Sequence, residues 1–233
     1  MSYSDFFSLI DSNKIKTIFE LGSRDLLDAI KLLDYFTKSK VYSFECNPAC
    51  LIECHNNIHK LDEIQKKRLI LLDKAVSINN GKVSFYPFDL EKYNNMGASS
   101  MLKIDFSLRD KYDPDYNIEN PQEEIIVDGI RLDTFIYENY IENIDLLCID
   151  LQGYELNALK SLGSHLHKVK YIITECSIIS TYTNGVTFKE LNDYLTNYNF
   201  KYISSNKFND NFPDLSLVGF SEFDALFINQ SEF

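Results

Sequence analysis

Four acidic residues stand at the ends of segments that are predicted to be β-strands, and a glycine follows the first of them. The acids are Glu20, Glu45, Asp150 and Glu175, and the glycine is Gly22. Ligands of open α/β sheets bind at the carboxyl ends of the strands, so these carboxylates are expected to gather at one edge. There they could accept hydrogen bonds from hydroxyl groups or take up a proton. Acids also complement helix N-termini, so a purely structural role remains open.

The first of these segments has the layout of a nucleotide-binding half of a doubly wound sheet. A strand over residues 15–21 is followed by Gly22, a helix over 24–36 and a second strand over 40–45. A dinucleotide site needs three glycines for the pyrophosphate, and only one is present. Glu20 would also repel phosphate. A ligand with ribose hydroxyls, a positive centre and no phosphate fits better, and S-adenosylmethionine (SAM) has these features.

The remaining chain continues the alternation of strands and helices. Strands are predicted at 68–72, 82–86, 125–127, 145–150, 169–174, 200–204 and 224–229, and helices at 3–10, 48–60, 132–140, 152–162 and 187–198. The strand at 82–86 is expected to be the return strand of a hairpin. The long connection 87–121 is expected to form a lid or substrate wall, or a plain surface insertion. With no repeat and no linker, one domain over residues 1–233 is expected.

The composition constrains partners and location. A net charge of −12 disfavours nucleic acid and anionic membranes. No stretch approaches the roughly 20 apolar residues of a membrane span, and no signal peptide is evident, so a cytoplasmic protein is expected. The five cysteines indicate a reducing compartment. A metal site at Cys46, Cys50 and Cys54 is conceivable, but their spacing matches no common zinc site, and structural cysteines are favoured.

Several motifs, in order along most of the chain, resemble the FkbM-type SAM-dependent methyltransferases. They are Glu-Leu-Gly at 20–22, Phe-Glu-Cys-Asn-Pro at 44–48, Gly-Ala-Ser-Ser at 97–100, Leu-Asp-Thr-Phe at 132–135, and Ile-Asp-Leu-Leu-Cys-Ile-Asp-Leu-Gln-Gly-Tyr-Glu at 144–155. The resemblance implies a Rossmann-like class I methyltransferase fold. Its sheet would be mostly parallel, with helices on both faces and an antiparallel last strand. It also implies methylation of oxygens on sugars or related hydroxylated small molecules.

The resemblance, together with the strand-end acids, yields a set of expected site residues. Asp150 is the expected general base or metal ligand, with a divalent cation such as Mg²⁺ as the alternative, and Glu175 and Glu155 are its helpers. For Glu155, a surface acid of its helix is the favoured alternative. The expected cofactor-binding residues are Glu20 and Gly22 on the methionine side, Glu45 at the ribose, Asp73 near the adenine, and also Ser23, Cys46, Ser99, Ser100 and Asp150.

This chain departs from the family pattern at three positions. Leu26 stands where a second glycine is common, Cys148 replaces a common lysine, and Gln152 replaces a common glutamate. Two other functions therefore remain open at this point. One is a nicotinamide- or sugar-nucleotide-binding enzyme, which the missing phosphate glycines disfavour. The other is a non-catalytic, methyltransferase-like interaction module.

Overall fold

A seven-stranded, mostly parallel sheet forms the centre of the protein. The computed structural model describes residues 3–88, 96–108, 122–216 and 222–231. The strands are β1 (Thr17–Leu21), β2 (Lys40–Glu45), β3 (Leu69–Asp73), β4 (Ala75–Val76), β5 (Gly81–Phe85), β6 (Ile125–Ile130), β7 (Ile144–Ile149), β8 (Val169–Ser177), β9 (Phe200–Ser205) and β10 (Glu222–Asn229). The order in the main sheet is β3-β2-β1-β7-β8-β10-β9.

The helices cover both faces of this sheet. They are α1 (Leu27–Tyr35), α2 (Pro48–His59), α3 (Glu63–Arg68), α4 (Leu132–Glu138), α5 (Glu155–Ser161) and α6 (Phe188–Thr196). Short 3-10 helices lie at Tyr3–Leu9, Ser12–Lys14, Met96–Ala98 and Gly163–Lys168. Within the described residues, no helix combines the length and apolar character needed to cross a membrane.

The strand pairing confirms the predicted fold class. β1 pairs in parallel with both β2 and β7, β3 pairs in parallel with β2, and β8 with β7. β10 is antiparallel to both of its neighbours, β8 and β9. Strand order reverses at β1, because β2 follows it on one side and β7 on the other. In such sheets the crevice at this switch point is the usual ligand site.

The predicted hairpin is wrong. β5 does form, but it pairs antiparallel with β6, and β4 pairs in parallel with the other edge of β6. The result is a separate three-stranded sheet in the order β4-β6-β5. An alternating pattern identifies a strand but not its partner, and β6 lies about forty residues further along the chain, beyond the long connection. Part of that connection, residues 89–95 and 109–121, lies outside the described residues.

Two apolar clusters cover the two faces of the main sheet. One packs Phe19, Phe44 and Leu147 against α4, α5 and α6. The other packs Ile18, Leu146 and Cys148 against α1 and the N-terminal 3-10 helix. Successive residues of β1 and β7 point to opposite faces, so each strand contributes to both clusters. Strands buried on both sides explain why β1 and β7 appear in the sequence as nearly continuous apolar runs.

Helix α1 begins three residues later than predicted. Arg24 and Leu26 both have left-handed backbone conformations, with φ of +54° and +66°, and they hold residues 24–26 in a turn. Leu26 is fully buried and stands directly before the helix. A left-handed conformation suits glycine far better than leucine.

Candidate functional site

A cleft lies at the carboxyl ends of β1, β2 and β7, and we call it the main cavity. Its lining contains both polar and apolar side chains. Among its lining residues are Tyr3, Gly22, Ser23, Arg24, Glu45, Cys46, Asn47, Lys74, Ala75, Val76, Phe85, Ser99, Ser100, Asp150, Gln152, Tyr154 and Glu175.

Gly22 forms the floor of this cavity in a conformation that other residues rarely adopt. Its φ is +87°, and a Cβ atom added here would lie 1.9 Å from the backbone oxygen of Asp150. The amides of Gly22 and Ser23 both donate to the carbonyl of Phe44, at 3.0 and 3.1 Å. The turn after β1 is therefore fixed against the ends of β2 and β7. That Gly22 lets a ligand approach the main chain stays a prediction.

Glu45 is held by three backbone amides at the end of β2. Its Oε1 accepts from Cys46 and Asn47, at 2.8 and 2.7 Å, and its Oε2 accepts from Arg24 at 2.7 Å. Burial raises the pKa of Glu45, although these hydrogen bonds lower it. A carboxylate has about four lone-pair sites, so about one remains for a ligand hydroxyl without rearrangement. The predicted bidentate ribose contact would need one of the amides to give way.

Glu20 lies beneath the cavity and is not among its lining residues. Its Oε2 accepts hydrogen bonds from the hydroxyls of Ser23, at 2.9 Å, and Ser43. Burial raises the pKa of Glu20 to about 8, although these hydrogen bonds lower it. Glu20 therefore supports the turn that carries Ser23, and its direct contact with a cofactor stays a prediction.

Asp150 and Glu175 lie side by side in the cavity wall, joined by Gln152. The Nε2 of Gln152 donates to Asp150 Oδ1 at 2.9 Å and to Glu175 Oε2 at 2.7 Å. The Oε1 of Gln152 accepts from the hydroxyl of Tyr182 at 2.8 Å. Gln152 adopts a φ of +53°, which turns its side chain into this cluster. The bridging roles of Gln152 and Tyr182 were not predicted. For Gln152, one signal was present in the sequence, which was its departure from the glutamate common in the family.

The two carboxyl groups have different proton affinities. Burial, followed by the charge of Asp150, raises the pKa of Glu175 well above its usual range. Burial also raises the pKa of Asp150, but hydrogen bonds from Gln152 and with Glu175 lower it. Two adjacent buried carboxyls cannot both ionise easily, so the charge on one opposes ionisation of the other. Because the charge of Asp150 contributes to the raised pKa of Glu175, Glu175 is the more readily protonated member of the pair.

Glu155 is buried, so its interpretation as a surface acid is wrong. It is 2% exposed, and its Oε1 accepts from the amides of Leu151 and Gly153, both at 3.0 Å. Burial raises the pKa of Glu155 to about 7. It is not among the lining residues of the main cavity, and it acts on the loop that carries Gln152. Its predicted helper role in catalysis stays a prediction.

The predicted cofactor-binding serines and Cys46 reach the cavity, and Asp73 does not. Ser99 Oγ accepts from the side-chain amide of Asn47 at 3.1 Å, and Ser100 Oγ donates to the carbonyl of Gln152 at 2.9 Å. Asp73 is exposed at the end of β3, paired in register with Glu45. The apolar wall next to it consists of Ala75, Val76 and Phe85, which the sequence analysis did not single out.

The described residues do not provide a cluster of metal ligands. Within residues 3–88, 96–108, 122–216 and 222–231, no group of three or more histidine, cysteine, aspartate or glutamate side chains could hold a metal ion. Cys46, Cys50 and Cys54 are free and buried. Burial raises the pKa of each thiol, which favours the neutral form over a metal-binding thiolate.

Comparison with known proteins decides the family. The methyltransferase FkbM domain matches residues 24–202. The chain belongs to the FkbM methyltransferase family. It is a SAM-dependent methyltransferase, and this result separates it from the nucleotide-binding enzymes and interaction modules considered above.

A curated relative is the 2-O-methyltransferase NoeI of Sinorhizobium fredii (strain NBRC 101917 / NGR234). It is 27% identical over 185 residues, which cover 78% of this chain and 71% of NoeI.

Solved structures support the fold. An FkbM methyltransferase from Methylobacillus flagellatus KT aligns with a TM-score of 0.53 and 11% identity, over 95% of this chain and 47% of that one. TrmK of M. capricolum, solved with S-adenosylhomocysteine (SAH), aligns with a TM-score of 0.51 and 14% identity, over 99% of this chain and 69% of that one. At these identities the likeness establishes the shared fold.

Proposed function

We propose that this FkbM methyltransferase transfers the methyl group of SAM to a hydroxyl oxygen of a sugar, a glycan or another hydroxylated small molecule. The observation that carries the proposal is the hydrogen-bonded pair of Asp150 and Glu175 in the cavity wall. An alcohol must lose a proton when its oxygen is methylated, and a buried carboxylate beside the methyl donor can accept it. The relative NoeI, a 2-O-methyltransferase, supports oxygen as the methylated atom.

The residues of the main cavity fit SAM in three respects. Gly22 presents backbone without a side chain to the cavity, Glu45 offers an acceptor for a ribose hydroxyl, and Ala75, Val76 and Phe85 form an apolar wall for an adenine ring. The expected orientation places the methionine part of SAM at Gly22, Asp150 and Glu175, which we call the transfer end. SAM supplies a methyl group already activated by its sulfonium. The protein then positions the acceptor oxygen and removes its proton.

A direct base fits the residues better than a metal-bound hydroxyl. Mg²⁺ prefers about six oxygen ligands in near-octahedral geometry. At the transfer end, Asp150 and Glu175 already accept the Gln152 amide, and burial and the charge of Asp150 raise the pKa of Glu175. We therefore assign Asp150 as the base and Glu175 as its neutral partner. Full activity after treatment with a chelator would agree with this assignment.

An assay with methyl-labelled SAM tests the proposed function. The protein is incubated with a panel of methyl pyranosides and short oligosaccharides, and the products are analysed by mass spectrometry and NMR. Transfer to a hydroxyl oxygen, giving a methyl ether, is the expected result. Transfer only to nitrogen, sulfur or carbon acceptors in a wider panel would contradict the assignment of oxygen.

A further inference from the structure

The N-terminal 3-10 helix, Tyr3–Leu9, brings an aromatic side chain to the transfer end of the main cavity. Tyr3 is 3% exposed and lines the cavity together with Gly22, Asp150 and Glu175. The charge that most raises the pKa of Tyr3, after burial itself, is that of Asp150. The phenol therefore lies near the carboxylate that is assigned as the base.

This segment is anchored firmly to α1. Phe7 packs against Tyr35 and Phe36, with ring centroids 4.8 and 5.1 Å away. Phe6 and Ile10 are buried in the same apolar cluster. Tyr3 is buried in this cluster as well, so the buried side of the segment docks as a unit. Tyr3 is thus held in place by its neighbours and does not depend on a ligand for its position.

The segment precedes the part of the chain that matches the FkbM domain, which begins at residue 24. The family match therefore assigns no role to it. At the transfer end the cavity is also lined by Gly22 after β1, Asp150 after β7 and Glu175 near the end of β8.

We propose that Tyr3 is a cofactor-binding residue whose ring packs over the methionine part of SAM at the transfer end. An aromatic ring provides a large contact area at little entropic cost, and it excludes water from the carboxylate beside it. The proposal rests on the proposed function only in placing SAM in the main cavity. It makes the N-terminal segment a part of the site.

Hydrogen–deuterium exchange on the wild-type protein, with and without SAH, tests the proposal without any variant. The amides of residues 3–10 are expected to exchange at least about threefold more slowly when SAH is bound, because ligand contact opposes local opening. The peptide covering α6, on the far side of the sheet, serves as the control and is expected to change little.

Calorimetric titration with SAH on variants completes the test. Tyr3→Ala is expected to weaken SAH binding about 5- to 30-fold, and Tyr3→Phe about threefold or less, because the ring provides most of the contact. Leu9→Ala, on the same helix but 47% exposed, is the matched control. If wild-type protein binds SAH but residues 3–10 exchange unchanged and Tyr3→Ala binds equally well, the proposal is overturned. If wild-type protein does not bind SAH, the result contradicts the placement of SAM in the main cavity, and with it the proposed function.

Discussion

Gln152 Nε2 donates a 2.7 Å hydrogen bond to Glu175 Oε2, joining the loop after β7 to the end of β8. The same nitrogen donates to Asp150 at 2.9 Å. A glutamate at position 152 would place a third carboxylate against two others, which is costly in a buried site. The amide instead satisfies both acids.

Replacing Gln152 with methionine tests this bridging role. The variant keeps similar volume but leaves both carboxyls without their shared donor, so Asp150 loses its orientation. Turnover on the acceptor found with labelled SAM is expected to fall about 10- to 100-fold, since misplaced reacting groups are penalised strongly. SAH affinity is expected to stay within about threefold, because this interaction is not with the cofactor. Unchanged turnover would show that the amide is dispensable.

Asp150→Asn tests the assignment of the base. The asparagine keeps the hydrogen-bonding shape but cannot take up the acceptor's proton, so turnover is expected to fall about 10²- to 10⁴-fold. In the wild-type protein, turnover is expected to rise with pH as Asp150 loses its proton. Asp193→Asn, an exposed aspartate on α6, is the matched control. Near-full methyl transfer by Asp150→Asn would reduce Asp150 to a structural role.

Gly22→Ala tests the tight turn at the cavity floor. Gly22 and Gly81 both have positive φ, but an added Cβ at Gly81 meets nothing within 4 Å. Each substitution costs about 1–2 kcal/mol of backbone strain. At Gly22 the overlap with the backbone of Asp150 adds to this cost. Gly22→Ala is expected to lower the free energy of unfolding by at least about 2 kcal/mol more than Gly81→Ala. Equal losses in urea denaturation would contradict the close approach.

Glu20→Gln tests the buried acid beneath the turn. The pKa of Glu20 rises from 4.5 to about 8 on folding, so the folded state binds the additional proton between these values. Its contribution to stability is fully present below about pH 4.5 and is lost as pH rises toward 8. Glutamine does not titrate, so the free energy of unfolding of Glu20→Gln is expected to fall less steeply with pH in this range than that of the wild type. The two slopes are expected to differ by up to about 1.4 kcal/mol per pH unit. Identical slopes for both proteins would show that Glu20 ionises normally.

The sequence predicted the main sheet well because its central strands are buried on both faces. β1, β2 and β7 appear as apolar runs ending in acids, and α6 is marked by the capping box of Thr187 and Glu190, which the structure confirms. The pairing of β5 with β6 was not predictable from alternation. It depends on contacts across a long connection whose path the local pattern does not encode.

The site was predictable where a residue follows directly from a strand end. Gly22, Glu45, Asp150 and Glu175 all line the main cavity. Tyr3 and Tyr182 were not identified because each reaches the site through packing with segments far away in the chain. The burial of Glu20 and Glu155 was also not predicted. Both are acidic residues, which are usually exposed, but nearby hydroxyls and backbone amides donate hydrogen bonds to them inside the protein.

The central claim, that the main cavity binds SAM with its ribose on Glu45, is tested most directly by calorimetric titration of SAH into the wild-type protein and Glu45→Gln. The account predicts a micromolar dissociation constant for the wild type, about −8 kcal/mol. It predicts about 10- to 100-fold weaker binding for the variant, because an amide loses the charge-assisted contact. Glu53→Gln, an exposed acid on α2, is the control. Tight binding of NAD without binding of SAH, or an equal dissociation constant for Glu45→Gln, would contradict the account.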